Sequence, residues 1–157
     1  MARSDGTKLI VSNRRARYDY AIDDTYEAGV VLTGSEVKSL REGKASLAEA
    51  WVKIDDKGEA WLVQAHIPEY EYASHDNHVP TRERKLLLHR YQLDRLDRAI
   101  AQKGVTLVPM RLYWRNGRAK LEFGVGKGKS QADKRRDIKK RDAEREIDRA
   151  LKERSRL

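Results

Sequence analysis

The sequence predicts a mainly β fold: a small antiparallel barrel with two short-to-medium helices and a basic C-terminal tail helix. Three observations lead there. Short apolar stretches bounded by turn residues recur along the first 126 positions. Two stretches in that region have helical spacing. The aromatic side chains end at Phe123, just before a long charged segment begins.

Taken in order, residues 1–12 are polar and read as a flexible N-terminus. Asn13-Arg14-Arg15-Ala16-Arg17 is a compact basic cluster. Residues 18–32 are rich in Tyr, Ile and Val and read as a strand, bent near Asp23-Asp24. Thr33-Gly34-Ser35-Glu36 has the capping-box pattern, in which the Thr33 hydroxyl accepts from the Glu36 N–H and the Glu36 carboxylate bonds back to Thr33. A short helix follows, with Val37 and Leu40 one turn apart on its buried side and Gly43 as its stop. Residues 50–54 and 59–67 flank Asp55-Asp56-Lys57-Gly58 and form a hairpin whose second arm, Ala60-Trp61-Leu62-Val63, is apolar on both faces and central. Residues 68–84 are a long loop, and residues 85–88 are a short strand. Leu93, Leu96 and Ile100 mark one face of a second helix, closed by Lys103-Gly104.

The last hairpin carries the most information. Asn116-Gly117 is the strongest two-residue turn signal, because both positions need positive φ. Centring the turn there pairs Trp114 with Ala119, Leu112 with Leu121, Met110 with Phe123 and Val108 with Val125, all apolar. The other face pairs Arg115 with Arg118, Tyr113 with Lys120 and Arg111 with Glu122, and it reads as solvent-facing. Pro109 falls on that outward face, at a position that tolerates an edge or a bulge. One aromatic ring among four cations suits a nucleic-acid backbone and a stacked base. Arg111–Glu122 also reads as an ordinary cross-strand pair. Strands this short and this numerous favour a five- or six-stranded barrel of the oligonucleotide-binding (OB) type over an α+β sandwich.

Gly124-Val125-Gly126-Lys127-Gly128-Lys129 closes the body as a hinge or a place of close backbone approach. The division expected is residues 1–12 as a flexible arm, 13–126 as the barrel and 127–157 as a basic tail. The net charge of +9 is uneven: residues 127–157 hold 13 Lys/Arg and 7 Asp/Glu, against 21 and 18 in the rest. A basic tail on a nearly balanced body points to a polyanion, most often nucleic acid. The tail lacks the bulky apolar face that would insert into a membrane. Its apolar residues, Ile138, Ala143, Ile147, Ala150 and Leu151, form a thin stripe. Such a helix is marginal alone, and reads as disordered until a partner is met or as a solvated helix on its own barrel.

No catalytic group, metal site or cofactor is expected. Cysteine is absent, so disulfides, thiolate metal sites and a cysteine nucleophile are out of reach. There is no long apolar run, and a cytoplasmic setting is expected. His75 and His78, three apart in a polar loop, are the one cluster with metal-ligand spacing, and they lack a third ligand of assigned position. The serines sit in no nucleophile motif.

Several blocks together resemble the SsrA-binding protein family, also called small protein B. They are Asn13-Arg14-Arg15-Ala16-Arg17, Thr25-Tyr26-Glu27-Ala28-Gly29, Leu32-Thr33-Gly34-Ser35-Glu36-Val37-Lys38-Ser39-Leu40-Arg41, Ala65-His66-Ile67, Arg84-Lys85-Leu86-Leu87-Leu88, Leu107-Val108-Pro109, and Gly128-Lys129 followed by Asp133-Lys134-Arg135. The resemblance implies an RNA-binding adaptor of trans-translation. It would bind the tRNA-like domain of transfer-messenger RNA (tmRNA, SsrA) and bring it to stalled ribosomes. The tail would probe the empty mRNA channel at the small-subunit decoding centre. Alanyl-tRNA synthetase and elongation factor Tu, which act on the same RNA, would be indirect partners.

Carried over by position, the RNA contacts fall on Glu27, Leu87 and Lys120, with Arg14, Arg15, Arg17 and Tyr20 in a block tied to the same RNA surface and Tyr113 beside Lys120. Glu27 would accept from a base edge or a 2′-OH, or orient an arginine. Leu87 reads equally as core packing. In the tail, Lys127, Lys129, Asp133, Lys134 and Arg135 would meet the ribosome, and Ala150-Leu151 would anchor within the channel. Two positions depart from the pattern: Tyr18 stands where His is frequent, and Ala132 where a larger side chain or His is frequent. Rival readings are a generic single-strand binder, a metal-dependent nuclease using His75 and His78, and a structural protein of the ribosome.

Overall fold

Asn116 and Gly117 both have positive φ, 50° and 77°. From this turn β6 (Val105–Arg115) and β7 (Arg118–Gly128) run back antiparallel. The computed structural model describes residues 6–73 and 77–155. The expected register holds from Arg115↔Arg118 to Arg111↔Glu122 and then slips by one. Pro109, not Met110, stands opposite Phe123; Val108 faces Gly124, and Leu107 faces Val125. Proline has no N–H for the ladder, and the strand absorbs it as a bulge. Asn13 covers the irregular backbone: its side-chain amide donates to the Pro109 carbonyl at 3.1 Å and its backbone N–H to the Met110 carbonyl at 2.6 Å. Met110 and Val108 therefore pack with Ala16, Tyr20 and Ile22 in a second small apolar cluster instead of the main core.

The remaining strands close a ring. β2 (Tyr20–Val30) pairs with β7 and, at its far end, with β5 (Arg84–Leu87). β4 (Ala60–Val63) joins β5 to β3 (Trp51–Ile54), and β3 returns to β6 through Val52↔Leu107. Six antiparallel strands thus form a barrel of the expected OB type, with inward side chains such as Leu62, Leu86, Leu121 and Phe123 filling it. Tyr26 stacks on Phe123 with ring centroids 5.8 Å apart.

The N-terminal expectation needs correction. Thr7–Ser12 is not loose: it is β1, paired with β6 from Thr7↔Arg115 to Ser12↔Arg111. The upper half of β6 offers a free edge there, and Ile10 and Val11 pack on the core. The 18–32 strand also starts late, because Ala16–Asp19 forms a single helical turn, α1, with Ala16 buried and Arg15 3.6 Å from Asp19. At the other end β7 runs to Gly128, two residues past the expected boundary. The glycines there serve close approach: a Cβ on Gly124 would lie 2.4 Å from the Ile22 side chain, and one on Gly126 3.0 Å from it.

The capping box starts α2 (Gly34–Arg41), with the Thr33 N–H donating to Glu36 at 2.8 Å. Glu36 does more than its local pattern implies. It is fully buried, bonded by Arg82 at 2.5 Å and by the equally buried Arg84. Arg84 also donates to the carbonyls of Ala65 at 2.9 Å and Pro80 at 3.0 Å, tying the 64–83 loop to the barrel. Burial works to raise the Glu36 pKa, but Arg82, the Thr33 N–H and Arg84 outweigh it and hold the carboxyl below its ordinary range. His78 is a second tie, its Nδ1 2.9 Å from the Ser35 hydroxyl and its Nε2 2.8 Å from the Ile67 carbonyl. Both ring nitrogens are thereby engaged in the fold; His75, its suggested metal partner, lies outside the described residues. α3 (Arg90–Ile100) buries Leu93 and Leu96 as its spacing requires. α4 (Gln131–Ser155) is one continuous helix whose described residues are all exposed from Ile138 onward. Among the described residues no helix is long and apolar enough to cross a membrane.

Candidate nucleic-acid interface

Registers across four strand pairs line up residues that are far apart in the chain. Leu87 on β5 faces Gly29 on β2, Gly29 faces Lys120 on β7, Lys120 faces Tyr113 on β6, and Tyr113 faces Leu9 on β1. Two residues along β2, β7 and β6, the next row on the same face is Glu27, Glu122 and Arg111, and a bulge in β1 brings Ser12, three residues past Leu9, opposite Arg111. On the opposite flank Arg115 faces Arg118. Glu27, Leu87 and Lys120, separated by up to 93 positions in the chain, therefore share one face of the barrel.

Tyr113 does not offer its ring there, contrary to the expectation from strand alternation. It is 2% exposed. Arg111 lies over the ring, 4.6 Å from its centroid, and the hydroxyl donates to Glu27. Arg115 donates to the same carboxylate oxygen, Oε2, at 2.8 Å. The Tyr113 hydrogen bond, assisted by Arg115 and the charge of Lys120, holds the Glu27 carboxyl below its ordinary range against the opposing effect of burial. Burial and the Glu27 charge push the Tyr113 hydroxyl well above its ordinary value. The pair is thus a neutral donor on a fixed anion. Glu27 orients Arg115 and Tyr113, and its Oε1 faces no bonding partner among the described residues.

Arg111 pairs with Glu122 at 3.2 Å, the ordinary cross-strand pair that the pattern allowed. Arg118 and Lys120 form no ion pair among the described residues, so they supply the face's uncommitted positive charge. Leu87 is 56% exposed, which removes the core-packing reading. Beside it Gly29 leaves a notch that opens into a hollow of about 330 Å³. Nothing in the sequence singles out Gly29, since only the registers of β5 and β7 place it between Leu87 and Lys120.

The structure does not bring Arg14, Arg15, Arg17 and Tyr20 to this face. Tyr20 pairs with Gly128, at the opposite end of β2 from Glu27↔Glu122. Arg14, Arg15 and Tyr20 instead line a separate groove of about 700 Å³ with residues 45–51 and Thr106 to Val108. Arg17 sits in α1 beside the root of the tail.

That root is stapled to the body by residues expected to face a ribosome. Lys129 donates from Nζ to the Arg17 carbonyl at 2.7 Å, pairs with Asp137, and donates from its backbone to the Asp19 carbonyl at 2.8 Å. Lys134 pairs with Asp19 at 3.2 Å and lies 5.2 Å from the centre of the Tyr18 ring. Both lysines are mostly covered, at 17% and 19% side-chain exposure. Asp133 caps α4 reciprocally with Ser130, its N–H donating to the Ser130 hydroxyl at 3.2 Å. Those Ser130 bonds hold the Asp133 carboxyl below its usual range. The Ser130-x-x-Asp133 spacing is a capping signal that the sequence carries and that would have marked the start of α4. Lys127, Ala132, Arg135, Ala150 and Leu151 are exposed. Tyr18, the departure from the family pattern, receives Lys134 and Arg15 on its ring and so helps hold the tail.

The family described as "SmpB protein" matches residues 10–153. A SsrA-binding protein of Bifidobacterium adolescentis is 52% identical over 97% of this chain and 96% of its own length. One from Thermobifida fusca is 55% identical over 97% and 94%. A chain in the solved structure described as "tmRNA-SmpB: a journey to the center of the bacterial ribosome" is 44% identical and superposes with a TM-score of 0.65, covering 82% of this chain and 93% of that one. With its blocks in order along nearly the full length and its barrel matched in three dimensions, this chain belongs to the SmpB family.

Proposed function

We propose that this chain is an RNA-binding adaptor of trans-translation, gripping the tRNA-like domain of tmRNA with its barrel and reaching into the ribosome with its tail. One observation carries the barrel half. Registers through β5, β2, β7 and β6 gather Leu87, Lys120 and Glu27 on one face, beside Arg118, which has no ion pair among the described residues. Such a face supplies phosphate contacts from Lys120 and Arg118, an acceptor for a 2′-OH or base edge from Glu27, and apolar contact from Leu87. It suits folded RNA better than a bare strand, because its one aromatic ring is covered and no row of rings is left for successive bases. The tail half rests on α4: exposed from Ile138 onward and basic, it extends from a root stapled to the body, as a probe of an empty mRNA channel near the decoding centre requires.

The distribution of cations divides the labour. Lys129 and Lys134 act on the protein itself, setting the direction in which α4 leaves the barrel. Lys127 and Arg135 are left for ribosomal phosphates, and Ala150-Leu151 for apolar anchorage in the channel. Arg14, Arg15, Arg17 and Tyr20 form a second basic surface at the other end of β2, able to face a different RNA from the one at Glu27. The protein performs no chemistry in this scheme and works in the cytoplasm, where alanyl-tRNA synthetase and elongation factor Tu act on the same RNA.

The test is Lys120→Ala binding to the tRNA-like domain across a salt series. Removing one phosphate contact reduces the slope of log affinity against log salt by about one. An unchanged slope with unchanged affinity would remove the β7 face from the RNA interface.

A further inference from the structure

One carboxylate and one ring at the foot of α1 each serve two cations from distant parts of the chain. Asp19 pairs through one oxygen with Lys134 of α4 at 3.2 Å and through the other with Arg15 of α1 at 3.6 Å. The centre of the Tyr18 ring lies 5.2 Å from the Lys134 ammonium and 5.7 Å from the Arg15 guanidinium. Two positive charges are thus drawn to a single negative one, and each weakens the hold of the other. They are not held alike. The Lys134 side chain is 19% exposed and that of Arg15 is 76% exposed, so Arg15 is the one free to swing away. Its contact with Asp19 is also longer than the ~2.7–2.9 Å of a good charge-assisted hydrogen bond.

Arg15 also lines the groove of about 700 Å³, whose other charged residues are Arg14, Asp19 and Glu49. Arg14 forms no ion pair among the described residues, and Lys134 already neutralises Asp19. The groove therefore offers two guanidinium forks to an anion, against the one remaining carboxylate of Glu49. We infer that Arg15 couples this groove to the tail: a phosphate of an RNA chain lying in the groove draws Arg15 off Asp19 and Tyr18, leaves both groups to Lys134, and so fixes the direction in which α4 leaves the barrel. The inference rests on the reading of the Arg14–Arg15 surface as an RNA surface. A phosphate oxygen within hydrogen-bond reach of the guanidinium replaces the long contact to Asp19. With Arg15 gone, Lys134 keeps the carboxylate and the ring without a competing charge beside it. The first turn of α4 then moves less, because Lys129 already binds the same segment through the Asp19 and Arg17 carbonyls. Arg15 is in this sense a positioning residue, acting on the tail through Asp19 and Tyr18. The coupling is reciprocal, so a seated tail strengthens the hold of the groove on the anion by the same factor.

The experiment follows backbone amide exchange by NMR in the full chain, with inorganic tripolyphosphate as the probe and ionic strength held constant. The Lys129 N–H bonds to the Asp19 carbonyl and the Lys134 N–H to the Ser130 carbonyl, so these two amides report on the root of the tail. Chemical shifts of Arg14 and Arg15 report separately on the groove. Saturating probe should slow exchange at both root amides about two- to fivefold in the wild-type chain, the range set by partly exposed ion pairs. Arg15→Gln keeps the side-chain stem and drops the charge. It should exchange slowly without the probe and show no further slowing with it. Asp19→Asn should exchange fast under both conditions. Wild-type protein whose Arg14 and Arg15 signals shift while root exchange stays unchanged overturns the coupling. An Arg15→Gln chain that exchanges faster than wild type overturns it too, since Arg15 would then support the root instead of competing for it, as does Asp19→Asn with wild-type protection. Arg14 and Arg15 signals that do not move overturn the groove as a phosphate site, and the coupling with it. The adaptor reading fails separately, through loss of binding to the tRNA-like domain, which none of these outcomes measures.

Discussion

Tyr113→Phe removes one hydroxyl and leaves the ring packed beneath Arg111. That hydroxyl donates to the Glu27 carboxylate, which also holds Arg115 at 2.8 Å. A hydrogen bond to an ionised group contributes about 1.5–3 kcal/mol when both partners are buried. The Glu27 side chain is 35% exposed, so water replaces part of the missing donor. The expected cost is therefore about 1 kcal/mol at pH 7. Its pH dependence has a definite sign. Glu27 has a folded pKa below its ordinary value, so its contribution is fully present above the unfolded carboxylate pKa of about 4.3 and is lost as pH falls through the folded value. Urea unfolding of the two proteins should show a gap of about 1 kcal/mol at pH 7 that narrows below about pH 4, with equal m-values. A gap of the same size at pH 3 and pH 7, or none at pH 7, would refute the assignment of Tyr113 as the donor that fixes Glu27.

Other outcomes follow from the same geometry. Arg84→Met strips Glu36, Ala65 and Pro80 of a buried donor and should cost about 3–5 kcal/mol in urea unfolding; the double variant Glu36→Leu/Arg84→Met should recover much of that loss. Truncation after Asp137 keeps the Lys129 and Lys134 staples, so binding to the tRNA-like domain should stay within twofold of wild type while tagging on stalled ribosomes is abolished; a large loss of RNA affinity would contradict the division between barrel and tail. A peptide of residues 131–155 should show only partial helix by circular dichroism in water, since its apolar stripe is thin and no packed face supports it.

The features legible from the sequence were those written within a few residues. Asn116-Gly117 set the turn and half the hairpin register. Thr33 and Glu36 announced α2, and Leu93 with Leu96 announced α3. The features that escaped depend on what arrives from elsewhere. Residues 7–12 carry only the short run Leu9-Ile10-Val11 as a strand signal, and they pair because β6 offers them an edge. The bulge at Pro109 changed which residues face Phe123, and its cost is met by Asn13 nearly a hundred residues away. Tyr113 alternated correctly onto the outer face, but alternation could not show that Glu27, Arg111 and Arg115 would close over it. Lys129 and Lys134 looked like free tail cations because Asp19 and the Arg17 carbonyl, their partners, lie more than a hundred positions upstream. The apolar tail residues show the same limit. At 3.6 residues per turn Ile138 points opposite Ile147, so the two ends of the expected stripe do not share one face of α4.

The most direct test of the account is binding of the purified full-length chain to the tRNA-like domain of tmRNA at physiological salt, against excess bulk tRNA and single-stranded RNA. The account predicts tight binding that survives both competitors and is weakened by Lys120→Ala. Binding that disappears when either competitor is added would contradict it, reducing the β5–β2–β7–β6 face to general attraction between a basic protein and any polyanion.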